Sequence, residues 1–266
     1  FEGAHGIHPL PGTPLDDPDP SEPSNRLVPR YYGEHEDKHD LPVLRPVRVE
    51  LVSHDGQRFT IQTNSGPLTA DAIVNATGTW NSPHIPFHAG VDQFAGRHVH
   101  TQNYGGVENF AGQRVLVVGG GTSAIQFLQE LDASGIETVW STRSVPRWTA
   151  KPFDEEWGRQ VEADVQAHTS QGKPPPSIVA VTGLPLQPYE KDIASGLLVS
   201  RGKVIAFTQE AVVLSGPGPD GTGFPDQGEA QALIDPSTVQ KLPGKARERD
   251  DCWELPIDTV LWATGF

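Results

Sequence analysis

The sequence predicts an α/β fold in which one βαβ unit is set inside a second, partly represented domain. Three observations lead there. A short apolar run at 115–118 passes into three consecutive glycines and then into a helical pattern. Strand-like runs at about 46–53, 58–63 and 71–76 precede it and read as a β-meander. The stretches DAIVNATG (71–78) and DTVLWATG (258–265) echo each other on either side of the glycine-rich unit. Each is an apolar strand pattern ending in small residues, so the pair looks like two similar crossings between an outer and an inserted domain.

Taken in order, residues 9–30 are rich in Pro, Asp and Ser without a period and read as an irregular surface segment. The turns HDG and NSGP split the meander, whose last run is expected to be a buried strand. In TSAIQFLQELDAS, Ala124, Ile125, Leu128 and Leu131 fall on one helical face, and Gly135 is a helix stop. ETVWST supplies the second strand of a parallel βαβ unit. Residues 154–170 read as a polar helix, and GKPPPSIVAVTG as a Pro-rich turn running into a strand. A long loop or hairpin insertion is expected over 216–252, before the closing strand IDTVLWATGF.

The formal net charge of −14 argues against a nucleic acid or an anionic membrane as the main partner. A single cysteine, Cys252, excludes an internal disulfide and a CxxC redox pair within these 266 residues. No apolar run reaches membrane-spanning length, and FEGAHGIHPL lacks the order of a signal peptide. A cytoplasmic location is expected, with oligomeric state left open. The absence of methionine, and a last residue just beyond a strand-like run, lead us to expect an excerpt of a longer chain.

Gly119, Gly121 and Ala124 fill a GxGxxG/A pattern between a strand and a helix. The first glycine permits the tight turn, the second lets backbone approach a pyrophosphate, and Ala124 lets helix and strand pack closely. The helix N-terminus offers unpaired N–H groups to phosphates, and Thr122 and Ser123 add hydroxyls. A structural glycine turn in another α/β protein is the alternative. An NAD site carries an acid near the end of the second strand; none stands between Thr138 and Arg147. Ser141, Thr142 and Arg143 lie where a 2′-phosphate would sit, which favours NADP, a solvated arginine being the other reading. HEDKH (35–39) matches HExxH literally, but Leu41-Pro42 and the strand-like sequence beyond favour a polar loop or short helix over a zinc hydrolase.

Between the first Ala-Thr-Gly and the glycine turn, Phe94, Gly96, His100 and Tyr104 match FxGxxxHxxxY. With ATGTWNSPHIP before it, and VLVVGGGTSA, the strand-end arginine and ATGF after it, the chain resembles the flavin-containing monooxygenases, class B flavoprotein monooxygenases in the wider sense. The related Baeyer–Villiger enzymes place Trp where this chain has Tyr104. The resemblance covers about residues 71–266, and more loosely the meander upstream. It implies a two-dinucleotide-binding-domain flavoprotein: residues 1–111 a partial FAD-binding domain, 112–262 a Rossmann-like NADPH-binding domain, and 263–266 the start of the return to the FAD domain. The FAD-binding glycine turn of such enzymes is not found in residues 1–113. Also implied are FAD and NADP as cofactors, hydride transfer from NADPH to flavin, and oxygen transfer from O2 to a soft nitrogen or sulfur nucleophile of a small-molecule substrate. Ala76, Thr77 and Gly78, with Ala263, Thr264 and Gly265, would let backbone pass close to the cofactors at the two crossings. His100 is expected to hold the interdomain link rather than move protons. The rival readings are another flavin-dependent NADPH reductase, whose disulfide type needs a CxxC, and an NADP-binding remnant without catalysis.

Overall fold

Residues 9–15, 19, 22, 24–151, 155–176, 182–216, 229–234, 246–249 and 252–266 are described by the structure, a computed structural model. They divide into two units, Phe1–Gly78 and Thr79–Phe266. In the first, helix α1 (Ser24–Lys38) buries Leu27 and Tyr31, four residues apart on one face. The Tyr31 hydroxyl donates to the Thr13 carbonyl and accepts from the Leu10 amide, both at 2.7 Å. The helix overturns the expectation that 9–30 is irregular throughout. Pro29 stands inside it, and burial of Leu27 and Tyr31 outweighs the lost backbone bond. Strands β1 (Val49–His54), β2 (Phe59–Thr63) and β3 (Leu68–Ala70) form the antiparallel meander. The last strand stops at Ala70, and residues 71–76 are not the buried strand expected; Val74 is 92% exposed. No strand lies beside them among the described residues, and a strand needs ladder partners.

The second unit is built on a parallel sheet. Its strands are β4 (Arg97–His100), β5 (Arg114–Val118), β6 (Glu137–Ser141) and β13 (Thr259–Trp262), in the order β4-β13-β5-β6. Helix α2 (Thr122–Ala133) connects β5 to β6, the βαβ unit expected from the sequence. Beyond it come β7 (Trp148–Thr149) paired with β8 (Leu184–Pro185), α3 (Glu155–Thr169), the short α4 (Glu190–Ala194), and an antiparallel sheet. That sheet runs β11-β12-β10-β9, with β9 Val204–Phe207, β10 Ala211–Leu214, β11 Arg247–Arg249 and β12 Cys252–Pro256. Strand β11 lies within the insertion expected over 216–252 and pairs with β12, which begins at its last residue, while 217–228, 235–245 and 250–251 lie outside the described residues. The strand expected near 177–181 lies outside them as well.

Alternation along the parallel strands makes two cores. Val115, Val117, Trp140 and Leu261 join Ala124, Ile125, Phe127, Leu128 and Leu131 of α2. Leu116, Val118, Val139, Val260 and Trp262 join Val212, Leu214 and Leu255 of the antiparallel sheet. Covered on both faces, β5 and β13 are apolar at nearly every position, and each large side chain so buried contributes about 1.5–3 kcal/mol. No helix among the described residues is long and apolar enough to cross a membrane.

Two imidazoles lie against Trp262 of the second core, His88 half-buried and His98 exposed. His88 and His98 each stack on Trp262, with centroids 5.9 Å away, and the Trp262 indole donates to His98 Nδ1 at 3.1 Å. Burial lowers both histidine pKa values from the ordinary 6.5. The folded chain therefore binds fewer protons than the unfolded chain as pH falls through that value, and stability falls with it. We predict a lower melting temperature at about pH 5.5 than at about pH 7.5. Part of that difference should vanish in His88→Phe; an unchanged pH profile in that variant would remove His88 as a cause.

Candidate functional site

The glycine turn leaves β5 at the carboxyl edge of the parallel sheet. Gly119 has φ 148°, and a Cβ there would stand 2.2 Å from the carbonyl oxygen of Ala263. Its amide donates to Ser141 O at 3.0 Å, and its carbonyl accepts from Trp140 Nε1 at 2.7 Å. Gly121, the N-cap of α2, has φ −102° and ψ 175°, a conformation any residue adopts. The chain's own backbone conformation does not demand glycine there. The first turn of α2 has no side-chain cap, and Thr122 and Ser123 are exposed. Ala124 is fully buried, as close packing of α2 on β5 requires.

At the end of β6 the three expected residues separate. Ser141 and Thr142 are buried. The Ser141 hydroxyl donates to Gly202 O at 2.8 Å, and the Thr142 hydroxyl meets the Ser200 hydroxyl at 2.6 Å. Both side chains thus tie β6 to segment 200–202. Arg143 is exposed and has no ion-pair partner among the described residues. Glu137, the acid of this strand, stands at its opposite end against Arg114 at 3.0 Å. Arg201 is a residue sequence reasoning missed. It is buried, its amide donates to Trp140 O at 2.8 Å, and burial lowers its pKa to about 10, so it stays charged at neutral pH.

The two Ala-Thr-Gly turns share a left-handed glycine, φ 65° at Gly78 and 81° at Gly265. Asn75 Oδ1 accepts from the Thr77 amide at 3.3 Å and the Thr77 hydroxyl at 2.9 Å, beside Ala76. In the second turn the Ala263 amide donates to Val118 O at 2.8 Å, the Thr264 hydroxyl donates to His84 O, and Gly265 O accepts from the His84 amide at 2.9 Å. The structure brings 119–124, 141–143 and 263–265 together in one unit, while Ala76, Thr77 and Gly78 close the other.

The FxGxxxHxxxY residues act as anchors for β4. The Phe94 ring lies where a Cβ on Gly96 would come within 2.2 Å, and that Cβ would also meet Asp258 O at 2.6 Å. His100 is 3% exposed; its Nδ1 accepts from the Gln102 amide at 3.2 Å, so its Nε2 carries the hydrogen and donates to Gly265 O at 2.9 Å. Both ring nitrogens are thus engaged, Nδ1 by the Gln102 amide and Nε2 by Gly265 of the second Ala-Thr-Gly. Tyr104 packs on Phe110 and on Phe127 of α2, with centroids 5.6 and 4.6 Å away. Burial, and then Glu130, push its phenol pKa upward, so it remains protonated. In HEDKH, the His35 and His39 rings lie 4.5 Å apart over the Thr13 hydroxyl, and Glu36 pairs with Arg45, which lowers its pKa through their hydrogen bond. No group of three or more His, Cys, Asp or Glu that could hold a metal occurs among the described residues.

Residues 12–171 match the family of pyridine nucleotide-disulphide oxidoreductases. The chain belongs to that family. Within it, the chain is similar to flavin monooxygenases. A doubly substituted flavin monooxygenase from Stenotrophomonas maltophilia superposes with a TM-score of 0.67 at 27% identity, over 100% of this chain and 64% of that one. A Baeyer-Villiger monooxygenase of Streptomyces coelicolor is 34% identical over 97 residues, 36% of this chain and 18% of its own length. Dimethylaniline monooxygenase [N-oxide-forming] 2 of Macaca mulatta is 34% identical over 96 residues, 34% of this chain and 18% of its own length. The chain thus spans less than two thirds of each of these relatives. The two-dinucleotide-domain α/β fold expected from the sequence is the fold these comparisons find.

We predict that Gly119→Ala lowers unfolding stability by about 3 kcal/mol or more, because its methyl group would meet backbone rather than a movable side chain. Denaturant titration measures it; a loss below about 1 kcal/mol would show that the turn and Ala263 can move apart.

Proposed function

We propose that the chain is the NADPH-binding domain, with an adjoining part of the FAD domain, of a flavin-dependent monooxygenase. The observation that carries this reading is the turn at Gly119–Ala124 beside a strand end bearing an exposed arginine and no acid. The residues present fit the coenzyme. Gly121 has a backbone any residue could adopt, yet it is the place where a Cβ would obstruct a pyrophosphate. The uncapped start of α2, with Thr122 and Ser123, would receive the phosphates. Arg143 would hold the 2′-phosphate with its planar guanidinium. Ser141 and Thr142 would act there indirectly, by fixing the loop that carries Arg143.

The domain division of this reading is 1–111 for the flavin domain, 112–262 for NADPH and 263–266 for the return. FAD, when bound, would accept hydride from NADPH and supply the oxygen-transfer chemistry. This chain's part is to bind and orient NADPH and to bring the backbone of Ala76–Gly78 and Ala263–Gly265 close to the cofactors. His100 keeps the second of these turns in place. The substrates of this reading are O2 and a small molecule with a soft nitrogen or sulfur nucleophile; relatives named as an N-oxygenase and as N-oxide-forming enzymes support it. A net charge of −14 supports partners other than nucleic acid, and one cysteine in 266 residues supports a cytoplasmic location.

Titration with NADPH and NADH tests the reading. Arg143→Ala should weaken NADPH roughly 10- to 100-fold, the scale of one or two charge-assisted hydrogen bonds, and leave NADH nearly unchanged. An equal loss for both coenzymes would remove the 2′-phosphate from Arg143.

A further inference from the structure

We propose that Trp140 is the positioning residue of the coenzyme turn, setting through one hydrogen bond the direction in which the Gly120 amide faces. The inference rests on the reading of that turn as an NADPH site. Trp140 is 1% exposed, lies in the core shared with α2, and packs edge-on to Trp148 at 6.4 Å. Its indole is thus immobile, and an indole N–H can only donate. That hydrogen is given to the Gly119 carbonyl at 2.7 Å.

The C=O of Gly119 and the N–H of Gly120 belong to one planar trans peptide and point in opposite directions. Holding the carbonyl toward the buried indole therefore turns the Gly120 N–H away from it. Gly119 cannot relax around this bond: its own amide is held by Ser141 O, and Ala263 O closes the other side. The Gly120 N–H has no acceptor among the described residues. A Cβ on Gly120 would find only Thr142 Cγ2, at 4.0 Å, so its surroundings are open. A fixed, outward amide just ahead of the uncapped start of α2 suits a phosphate oxygen. Without the Trp140 bond the peptide could rotate and present its carbonyl, which repels the same anion.

The pyrophosphate is common to NADPH and NADH, so the effect of Trp140 should be blind to the 2′-phosphate, unlike that of Arg143. Trp148 provides a matched control, since it is 5% exposed in the same core and its indole nitrogen has no hydrogen-bond partner among the described residues. Dissociation constants for both coenzymes, with melting temperatures, should be measured on the 266-residue chain and on Trp140→Phe and Trp148→Phe. We expect Trp140→Phe to raise both constants by the same factor, about tenfold for one lost hydrogen bond, while Trp148→Phe stays within about twofold at a similar cost in melting temperature. Where Trp140→Phe does not fold, benzothienylalanine at 140, an indole-shaped ring without the N–H, carries the same expectation. Unchanged constants without the Trp140 N–H, or equal weakening in the two variants, would overturn the role of Trp140 and leave the NADPH reading standing. An unsubstituted chain that binds neither coenzyme would overturn both.

Discussion

Gly119 passes the carbonyl of Ala263 so closely that no side-chain atom fits between them, and the carboxyl edge of the parallel sheet is arranged around that contact. β13 lies between β4 and β5 and makes parallel ladders with both. When β13 ends, its next amide still bonds to Val118, and the glycine turn leaves β5 at that level. The turn and the second Ala-Thr-Gly are consequently one backbone assembly. On the far side, His100 at the end of β4 holds Gly265. Three neighbouring strand ends are tied together at the carboxyl edge, where open parallel sheets bind their ligands.

The parts of this arrangement that were legible in the sequence are those with local causes. β5, α2 and β6 follow from an apolar run, a glycine turn and a helical period within about 30 residues, the usual size of such a unit. β4 was not legible, because Arg-His-Val-His has little strand character of its own; it is a strand because β13 offers an unpaired edge. The antiparallel sheet depends on pairing between 204–214 and 252–256, and a single sequence does not reveal that pairing. The opposite error occurred at 71–76. Its pattern matches that of 258–263, yet β13 has a strand on each side and 71–76 has none among the described residues. An apolar strand pattern states what a segment needs, and neighbours decide whether it is met.

The same distinction runs through the candidate site. Residue type placed Ser141, Thr142 and Arg143 at the strand end together, but type does not say whether a hydroxyl is already engaged. Segment 200–202, some 60 residues downstream, engages both hydroxyls and leaves Arg143 as the exposed charged group of the three. In the proposed NADPH reading, discrimination between the two nicotinamide coenzymes would then fall on Arg143 alone, and a single change could lose it. Trp140 was invisible for a related reason. In the sequence it is one more apolar residue of a buried strand, and only the turn above it gives its N–H a purpose.

Seen through these contacts, the FxGxxxHxxxY pattern is a set of anchors for an edge strand whose own sequence would not hold it. Gly96 is small so that the Phe94 ring can fold over it, His100 supplies one donor and one acceptor to fixed backbone groups, and Tyr104 lays its ring on α2. Position 104 presents an aromatic face to Phe110 and Phe127, and its phenol, kept protonated by burial, supplies no acid, so another aromatic ring could take its place. What cannot be exchanged so freely is His100. Its two nitrogens meet an N–H on one side and a carbonyl on the other, and few side chains combine both functions on a rigid ring of that size.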